Sequence, residues 1–66
     1  MRRLGEELHH RRQAIGMTQD AMARQLQVHR TTYTKYENGT VDPPLETLCR
    51  LADVLGCTVD ALLGRE

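Results

Sequence analysis

The residues with the clearest chemical potential are polar side chains near the middle of the chain. Arg30, Thr31, Thr34 and Lys35 follow one another at helical spacing, and His29 precedes them. Arginine and lysine can donate to the paired acceptors of guanine in the major groove, while threonine offers thymine a hydroxyl and a methyl group. These side chains are therefore chemically suited to base edges, if other features of the sequence place them on an exposed side of a helix.

Other reactive side chains do not form a recognisable site. His9 and His10 would point about 100° apart on a helix, and neither has a histidine four residues away, so a metal site is not expected. The sequence shows no Ser-His-Asp set, phosphate-binding loop or paired carboxylates of an acid-base site. We therefore expect neither enzyme activity nor a cofactor.

Charge is divided unevenly along the chain, although the net charge is zero. Residues 1–38 contain seven Arg and Lys against four Asp and Glu, which gives +3, and residues 39–66 contain two against five, which gives −3. A basic N-terminal part and an acidic C-terminal part would present one face to a polyanion and hold the other away from it. Small domains also show such asymmetry by chance, so this signal is weak on its own.

The length of 66 residues fits one small domain at residues 1–66. At about 60 residues a fold buries only roughly 60% of the surface of its unfolded chain, so a partner would add stability. Cys49 and Cys57 are too few for a disulfide framework, which favours reduced thiols in the cytoplasm. No apolar run reaches the roughly 18 residues of a membrane span, and no signal peptide is expected. We therefore expect a cytoplasmic protein stabilised as a homodimer.

Five short amphipathic segments predict an all-α domain. Helices are expected at about residues 3–15, 19–26, 30–38, 45–55 and 59–63. Leu4, Leu8 and Ile15 repeat along the first helix, and Thr18 suits the N-cap of the second. The fourth has the clearest apolar face, formed by Leu45, Leu48, Leu51, Ala52 and Leu55. No stretch alternates with a period of two, so strands are not expected.

Only about three residues separate the second and third predicted helices. Two short helices joined in this way cross steeply, which is the helix-turn-helix arrangement. This geometry pushes the second of the pair out of the body of the domain, where its exposed face can enter a major groove.

Several motifs, in order, resemble the Cro/C1-type repressors, the lambda-repressor-like or XRE family of helix-turn-helix regulators. They are Gly16-Met17-Thr18-Gln19, Ala23-Arg24-Gln25-Leu26, Tyr36-Glu37-Asn38-Gly39, Pro44-Leu45-Glu46-Thr47-Leu48, Leu51-Ala52, Leu55-Gly56 and Asp60-Ala61-Leu62-Leu63. The resemblance extends from about Leu4 to Gly64. It implies a compact five-helix fold in which the helix at 30–38 reads operator DNA.

The resemblance also implies which side of the recognition helix faces DNA. Tyr33 and Tyr36 match positions that point inward in the family, so both are expected in the core with their hydroxyls at its edge. The opposite side then carries the base-contacting candidates, which are Arg30, Thr31 and Lys35, with His29 and Thr34 as secondary ones. The alternative is that some of them contact only phosphates, as roughly half of protein–DNA hydrogen bonds do.

Residues beside the recognition helix are expected to hold the DNA backbone. Gln19 is similar to the family's phosphate-binding glutamine and stands at a helix N-terminus, a favourable anion site. Asn38 and Thr40, through side chain or backbone, and Arg11 are further phosphate-contacting candidates. The alternative for Gln19 and Arg11 is a solvated surface position.

Arg12 and Glu37 are expected to form a structural ion pair. Glu37 lies in the last turn of its helix, where the helix dipole disfavours a negative charge, so a cationic partner is expected. The resemblance supplies Arg12 from the first helix. A bidentate pair would fix the angle of the recognition helix, and lysine could not replace the planar fork of arginine.

Three positions depart from the family pattern. Gln27 stands where the tight turn usually has glycine, and a left-handed glutamine would carry a strain of about 1 kcal/mol. His29 replaces a small hydroxyl cap, which weakens the cap and adds a titratable group near DNA. Pro44 replaces a common serine cap, and its fixed φ suits a first helical turn.

The leading hypothesis is a homodimeric transcriptional regulator, most simply a repressor, that binds a two-fold symmetric operator. Cys57, Val59 and Leu63, with Cys49 nearby, are candidates for the dimer interface, and ordinary core positions are the alternative. A second class of function is an antitoxin-like module that binds an unidentified protein partner and uses DNA binding for autoregulation. A remnant that has kept the fold and lost its operator is a third.

Overall fold

Five helices account for most of the chain. The structure, a computed structural model, describes residues 2–65. The helices are α1 (Arg2–Ala14), α2 (Gln19–Leu26), α3 (Arg30–Asn38), α4 (Leu45–Leu55) and α5 (Val59–Leu62). Every boundary lies within one residue of its predicted position, and the all-α class is confirmed for the described residues. None of these helices is both long and apolar enough to cross a membrane.

Threonine and glycine residues mark several helix ends. The hydroxyls of Thr18 and Thr58 each accept a hydrogen bond of 3.0 Å from the backbone N–H three residues ahead, which caps α2 and α5. Gly39 and Gly56 follow α3 and α4 in left-handed conformations, with φ of 79° and 69°. These local signals explain why the sequence predicts the boundaries so closely.

Each helix contributes a fully buried side chain to one shared core. Leu8, Met22, Tyr33, Leu51 and Leu62, one from each helix, have an exposed fraction of 0%. The rest of the core consists of Leu4, Ala23, Leu26, Tyr36, Leu48, Ala52 and Leu55. Burying a leucine or methionine side chain contributes about 1.5–3 kcal/mol, so this cluster holds the helices together.

Two apolar residues that continue predicted helical faces are exposed, which corrects the expectation from periodicity. Ile15 exposes 47% of its surface because α1 ends at Ala14 and Ile15 lies in the turn that follows. Leu45 exposes 72% because it is the first residue of α4, one turn before Leu48 enters the core. Periodicity therefore overestimated the apolar face at these two helix ends.

α1 lies very close to the C-terminal end of α3. A Cβ atom on the buried Gly5 would lie 2.3 Å from the backbone oxygen of Glu37 and 2.8 Å from that of Tyr36. Side chains do not approach backbone oxygens so closely, so this contact requires glycine. It brings the following turns of α1, with His9 and Arg12, next to the last turn of α3.

A three-residue turn, 27–29, joins α2 to α3. Gln27, which stands where the family usually has glycine, is left-handed with a φ of 58°. Its N–H and that of Val28 donate to carbonyls at the end of α2, which closes the helix. His29 takes the N-cap position of α3 without a side-chain capping bond, as the departure from a hydroxyl residue predicts. The turn completes the predicted helix-turn-helix unit.

Candidate nucleic-acid interface

The outward side of α3 carries the predicted base-contacting side chains of that helix. Arg30, Thr31 and Lys35 are exposed, and Thr34 is half-buried. One shallow concave surface, which we name the recognition groove, is lined by Gln19, Arg30, Thr31, Thr34, Lys35 and Asn38. The structure thus brings these candidates together with two of the predicted phosphate-contacting residues.

The inward side of α3 is aromatic, as predicted. Tyr33 and Tyr36 are buried, and their rings meet edge to face with centroids 6.3 Å apart. The expectation that both hydroxyls reach the edge of the core is wrong for Tyr33. Its hydroxyl is buried beside Glu37 and makes no hydrogen bond of good geometry within residues 2–65. Burial, together with the neighbouring carboxylate, raises the pKa of Tyr33 well above its usual value.

Arg12 and Glu37 meet in a buried ion pair between α1 and α3. Arg12 Nε donates to Glu37 Oε2 at 2.6 Å, and Nη2 donates to Oε1 at 3.2 Å, so the pair is bidentate. The two side chains expose only 9% and 5% of their surface. Arg12 Nη1 also donates to the backbone oxygen of Met17 at 2.8 Å. The pair therefore ties α1, the turn before α2 and the end of α3 together.

Two more side chains reach the same carboxylate. Gln19 Nε2 donates to Glu37 Oε1 at 3.1 Å, and His9 Nδ1 lies 3.0 Å from that oxygen. The Thr34 hydroxyl donates to Gln19 Oε1 at 3.2 Å, which connects this cluster to the recognition groove. We refer to His9, Arg12, Gln19 and Glu37 together as the clamp.

The clamp keeps the Glu37 carboxyl ionised. Burial alone would raise its pKa, but Arg12, followed by the Tyr33 hydroxyl, Gln19 and His9, lowers the pKa of Glu37 to about 2. The dipole of α3 disfavours this negative charge in the last turn. The charge therefore depends on the neighbouring donors, and it holds the helices that supply them.

Two cations outside the clamp form ion pairs that are more exposed. Arg30 Nε lies 3.5 Å from Asp20 Oδ1, and both side chains are well exposed. Arg11 Nε donates to Glu7 Oε1 at 2.8 Å within α1, and this pair is also partly exposed. Exposed ion pairs contribute only about 0–1 kcal/mol. A polyanion can therefore replace these carboxylates at little cost in stability.

Asn38 and Thr40 lie at the end of α3 and just beyond it. Asn38 Oδ1 accepts a hydrogen bond of 2.9 Å from the Thr40 N–H, which also donates to the Lys35 carbonyl at 3.1 Å. A phosphate contact at Thr40 is expected through its side chain or its backbone amide, and the amide already donates to these two oxygens. The side chains of both residues are exposed.

Comparison with known proteins identifies the domain. The profile of the helix-turn-helix domain family matches residues 3–63. The chain belongs to this family. The cryptic phage CTXphi transcriptional repressor RstR of Vibrio cholerae is 40% identical over 63 residues, which cover 96% of this chain and 56% of the relative. The SPbeta prophage-derived uncharacterized HTH-type transcriptional regulator YonR of Bacillus subtilis is 42% identical over 59 residues, covering 89% and 55% respectively.

The relatives also define the extent of the match. The HTH-type transcriptional regulator ImmR of Bacillus subtilis is 33% identical over 63 residues, and the aligned part covers 50% of that protein. This helix-turn-helix chain thus spans about half the length of the curated relatives it matches. No solved structure matches it significantly. The matches confirm the resemblance to Cro/C1-type regulators.

The remaining predicted site residues lie outside the recognition groove of this helix-turn-helix domain. His29 is exposed at the start of α3. Cys57, Val59 and Leu63 are half-buried and pack against the core, while Cys49 is exposed on α4. Their role in a dimer interface stays a prediction.

The contacts of His9 and Gln19 with Glu37 were not predicted from the sequence. The adjacent His9 and His10 raise only the question of a metal site, and the described residues contain no cluster of three or more metal-binding side chains. A signal was nevertheless present, because residues three apart share one side of a helix. The spacing between His9 and Arg12 could have placed both next to Glu37.

Proposed function

We propose that this helix-turn-helix domain binds duplex DNA sequence-specifically and regulates transcription, most simply as a repressor. The observation that carries the proposal is the exposed polar side of α3, held outward by the buried tyrosines and the clamp. A major groove admits one α-helix. Within it, Arg30, Thr31 and Lys35 would contact base edges, with His29 and Thr34 at the margins.

The same geometry supplies contacts to the DNA backbone. Gln19 begins α2, where free backbone N–H groups favour a phosphate. Its side chain is already bonded to Glu37 and Thr34, so a phosphate would meet its remaining amide hydrogen or the helix end. The exposed side chains of Asn38 and Thr40, and Arg11 once released from Glu7, would complete this set.

A homodimer fits the proposed operator. Two copies of α3 about 34 Å apart would read half-sites one helical turn apart on a two-fold symmetric site. Cys57, Val59 and Leu63 remain the proposed interface. Support for repression comes from the name of one relative, a phage transcriptional repressor.

Selection from random duplex DNA, followed by titration at several salt concentrations, tests the function. We expect a two-fold symmetric site and an affinity that falls steeply with salt, because phosphate contacts release counterions. The informative variant is Arg30→Ala, since a bidentate base contact gives about 1–3 kcal/mol of discrimination. Arg30→Ala should therefore lose about tenfold to a hundredfold in preference for the selected site.

Arg50→Ala is the matched control. It also removes one exposed arginine, but from α4, where Arg50 pairs only loosely with Glu46 at 3.4 Å. We expect it to keep the preference for the selected site. Binding without sequence preference, or equal losses in the two variants, would contradict the proposal. Such a result would favour the antitoxin-like alternative, which co-purification with a protein partner would then test.

A further inference from the structure

A second concave surface adjoins the recognition groove on the side of α1. It shares Gln19, Thr34 and Asn38 with the groove and adds Glu6, His9, His10 and Glu37. Because the two surfaces are continuous, a DNA strand whose bases meet α3 would carry its backbone past the α1 side. A side chain that contacts this backbone must be able to donate a hydrogen bond to a phosphate oxygen.

The contact between His9 and Glu37 decides where the histidine carries its proton. Nδ1 lies 3.0 Å from the carboxylate oxygen Oε1, which only accepts hydrogen bonds. Arg12 Nη2 also lies 3.2 Å from Nδ1. If Nδ1 accepted from Arg12, its lone pair would face the carboxylate oxygen at close range. The arrangement therefore favours a proton on Nδ1.

The other ring nitrogen of His9 is free. Nε2 makes no hydrogen bond within the described part of the chain, and 44% of the side chain is exposed. A neutral imidazole has a single N–H. With that hydrogen on Nδ1, Nε2 presents a lone pair that repels a phosphate oxygen. Only the doubly protonated ring can donate to Glu37 and to a phosphate at once.

Titratable groups surround His9 on two helices. The titratable neighbours are Glu6, His10 and Arg12 on α1, and Tyr33 and Glu37 on α3, while α2 contributes the neutral Gln19. Glu37 is the carboxylate that His9 contacts, and a protonated ring would stand between that carboxylate and a phosphate, with one N–H directed at each.

We propose that protonated His9 binds a backbone phosphate of the DNA duplex, so that DNA binding takes up a proton from solution. This inference rests on the proposed function and adds a pH-dependent backbone contact to it. Nδ1–H donates to Glu37, and Nε2–H donates to the phosphate oxygen. Histidine changes charge between about pH 5 and 8, so affinity rises as the pH falls through this range.

The test is the dissociation constant for the selected DNA site at pH 6, 7 and 8 and fixed ionic strength. Wild type should bind about tenfold more tightly at pH 6 than at pH 8, as the uptake of one proton allows. His9→Gln should lose most of this difference. His10→Gln removes the neighbouring histidine as a matched control, and it should keep the wild-type dependence.

A second variant guards against a folding defect in His9→Gln. His9→Lys carries a fixed positive charge, so it should bind at pH 8 about as tightly as wild type does at pH 6. A flat wild-type profile, or an unchanged slope in His9→Gln, overturns the inference while specific binding stands. Loss of sequence preference in wild type at every pH overturns the proposed function as well. Thermal unfolding at each pH shows that all variants compared are folded.

Discussion

The clamp and the recognition groove hold their polar groups in opposite ways, although both include residues of α3. At the clamp, Glu37 is 5% exposed and receives a bidentate arginine together with Gln19. In the groove, Arg30 is 64% exposed and has one ion pair of 3.5 Å. Buried, satisfied polar groups fix geometry, whereas exposed ones can exchange partners. The orientation of α3 and the base contacts proposed for Arg30 should therefore be separable by mutation.

The largest effect is expected from Glu37→Gln. Removing the carboxylate leaves the buried Arg12 guanidinium without a counter-charge, and breaking such a pair costs about 3–5 kcal/mol. That loss is comparable with the whole stability of a small domain. Urea unfolding followed by circular dichroism measures it.

Asp20→Asn supplies the matched control for Glu37→Gln. It neutralises the exposed carboxylate that pairs with Arg30, and we expect a loss of about 1 kcal/mol or less. Similar losses of unfolding free energy in the two variants would break the distinction between the clamp and the groove.

Acid should weaken the clamp without a mutation. The pKa of Glu37 is about 2 in the folded protein against an ordinary value of 4.5. Because the folded value is the lower one, this carboxylate stabilises the fold fully above about pH 4.5 and progressively less as the pH falls towards 2. We expect protonation of this carboxylate to lower the free energy of unfolding by about 3 kcal/mol. Urea unfolding at pH 5, 3 and 2 measures it.

The same pH series with Glu37→Gln identifies the group responsible. Protonation makes Glu37 neutral, as glutamine is, so the difference in unfolding free energy between wild type and variant should shrink with acid. A difference that stays constant down to pH 2 would assign the stabilisation to something other than the charge of Glu37.

Local signals explain how much of this arrangement the sequence predicts. Thr18 caps a helix through its own neighbours, and Tyr33 and Tyr36 are three apart on one side of α3. Such features need no knowledge of the rest of the fold. The helix bounds were therefore within reach of local signals, while the choice of the tyrosine side of α3 as the buried one came from the resemblance to the family.

Features set by the approach of two helices were harder to predict. His9 joins the clamp because α1 lies against α3, a contact that depends on Gly5 and has no local signature, and Gln19 joins it because the start of α2 lies beside the end of α3. The exposure of Leu45 likewise depends on where α4 first meets the core. Spacing shows which residues share a side of a helix, but not what that side contacts.

The turn between α2 and α3 gives the smallest effect and a further test of separability. Gln27 has a φ of 58°, where a Cβ atom is strained, so Gln27→Gly should raise the unfolding free energy by about 0.5–1 kcal/mol. Gly56→Ala is the reverse control, because Gly56 has a φ of 69° and an added Cβ would meet no atom within 4 Å. Gly56→Ala should lower the unfolding free energy by about 1 kcal/mol, so the two substitutions should change stability in opposite directions.

Since Gln27 belongs to neither the clamp nor the groove, DNA affinity should not change with the gain in stability of Gln27→Gly. A stability loss in Gln27→Gly would instead show that the glutamine side chain stabilises the turn by more than its backbone strain.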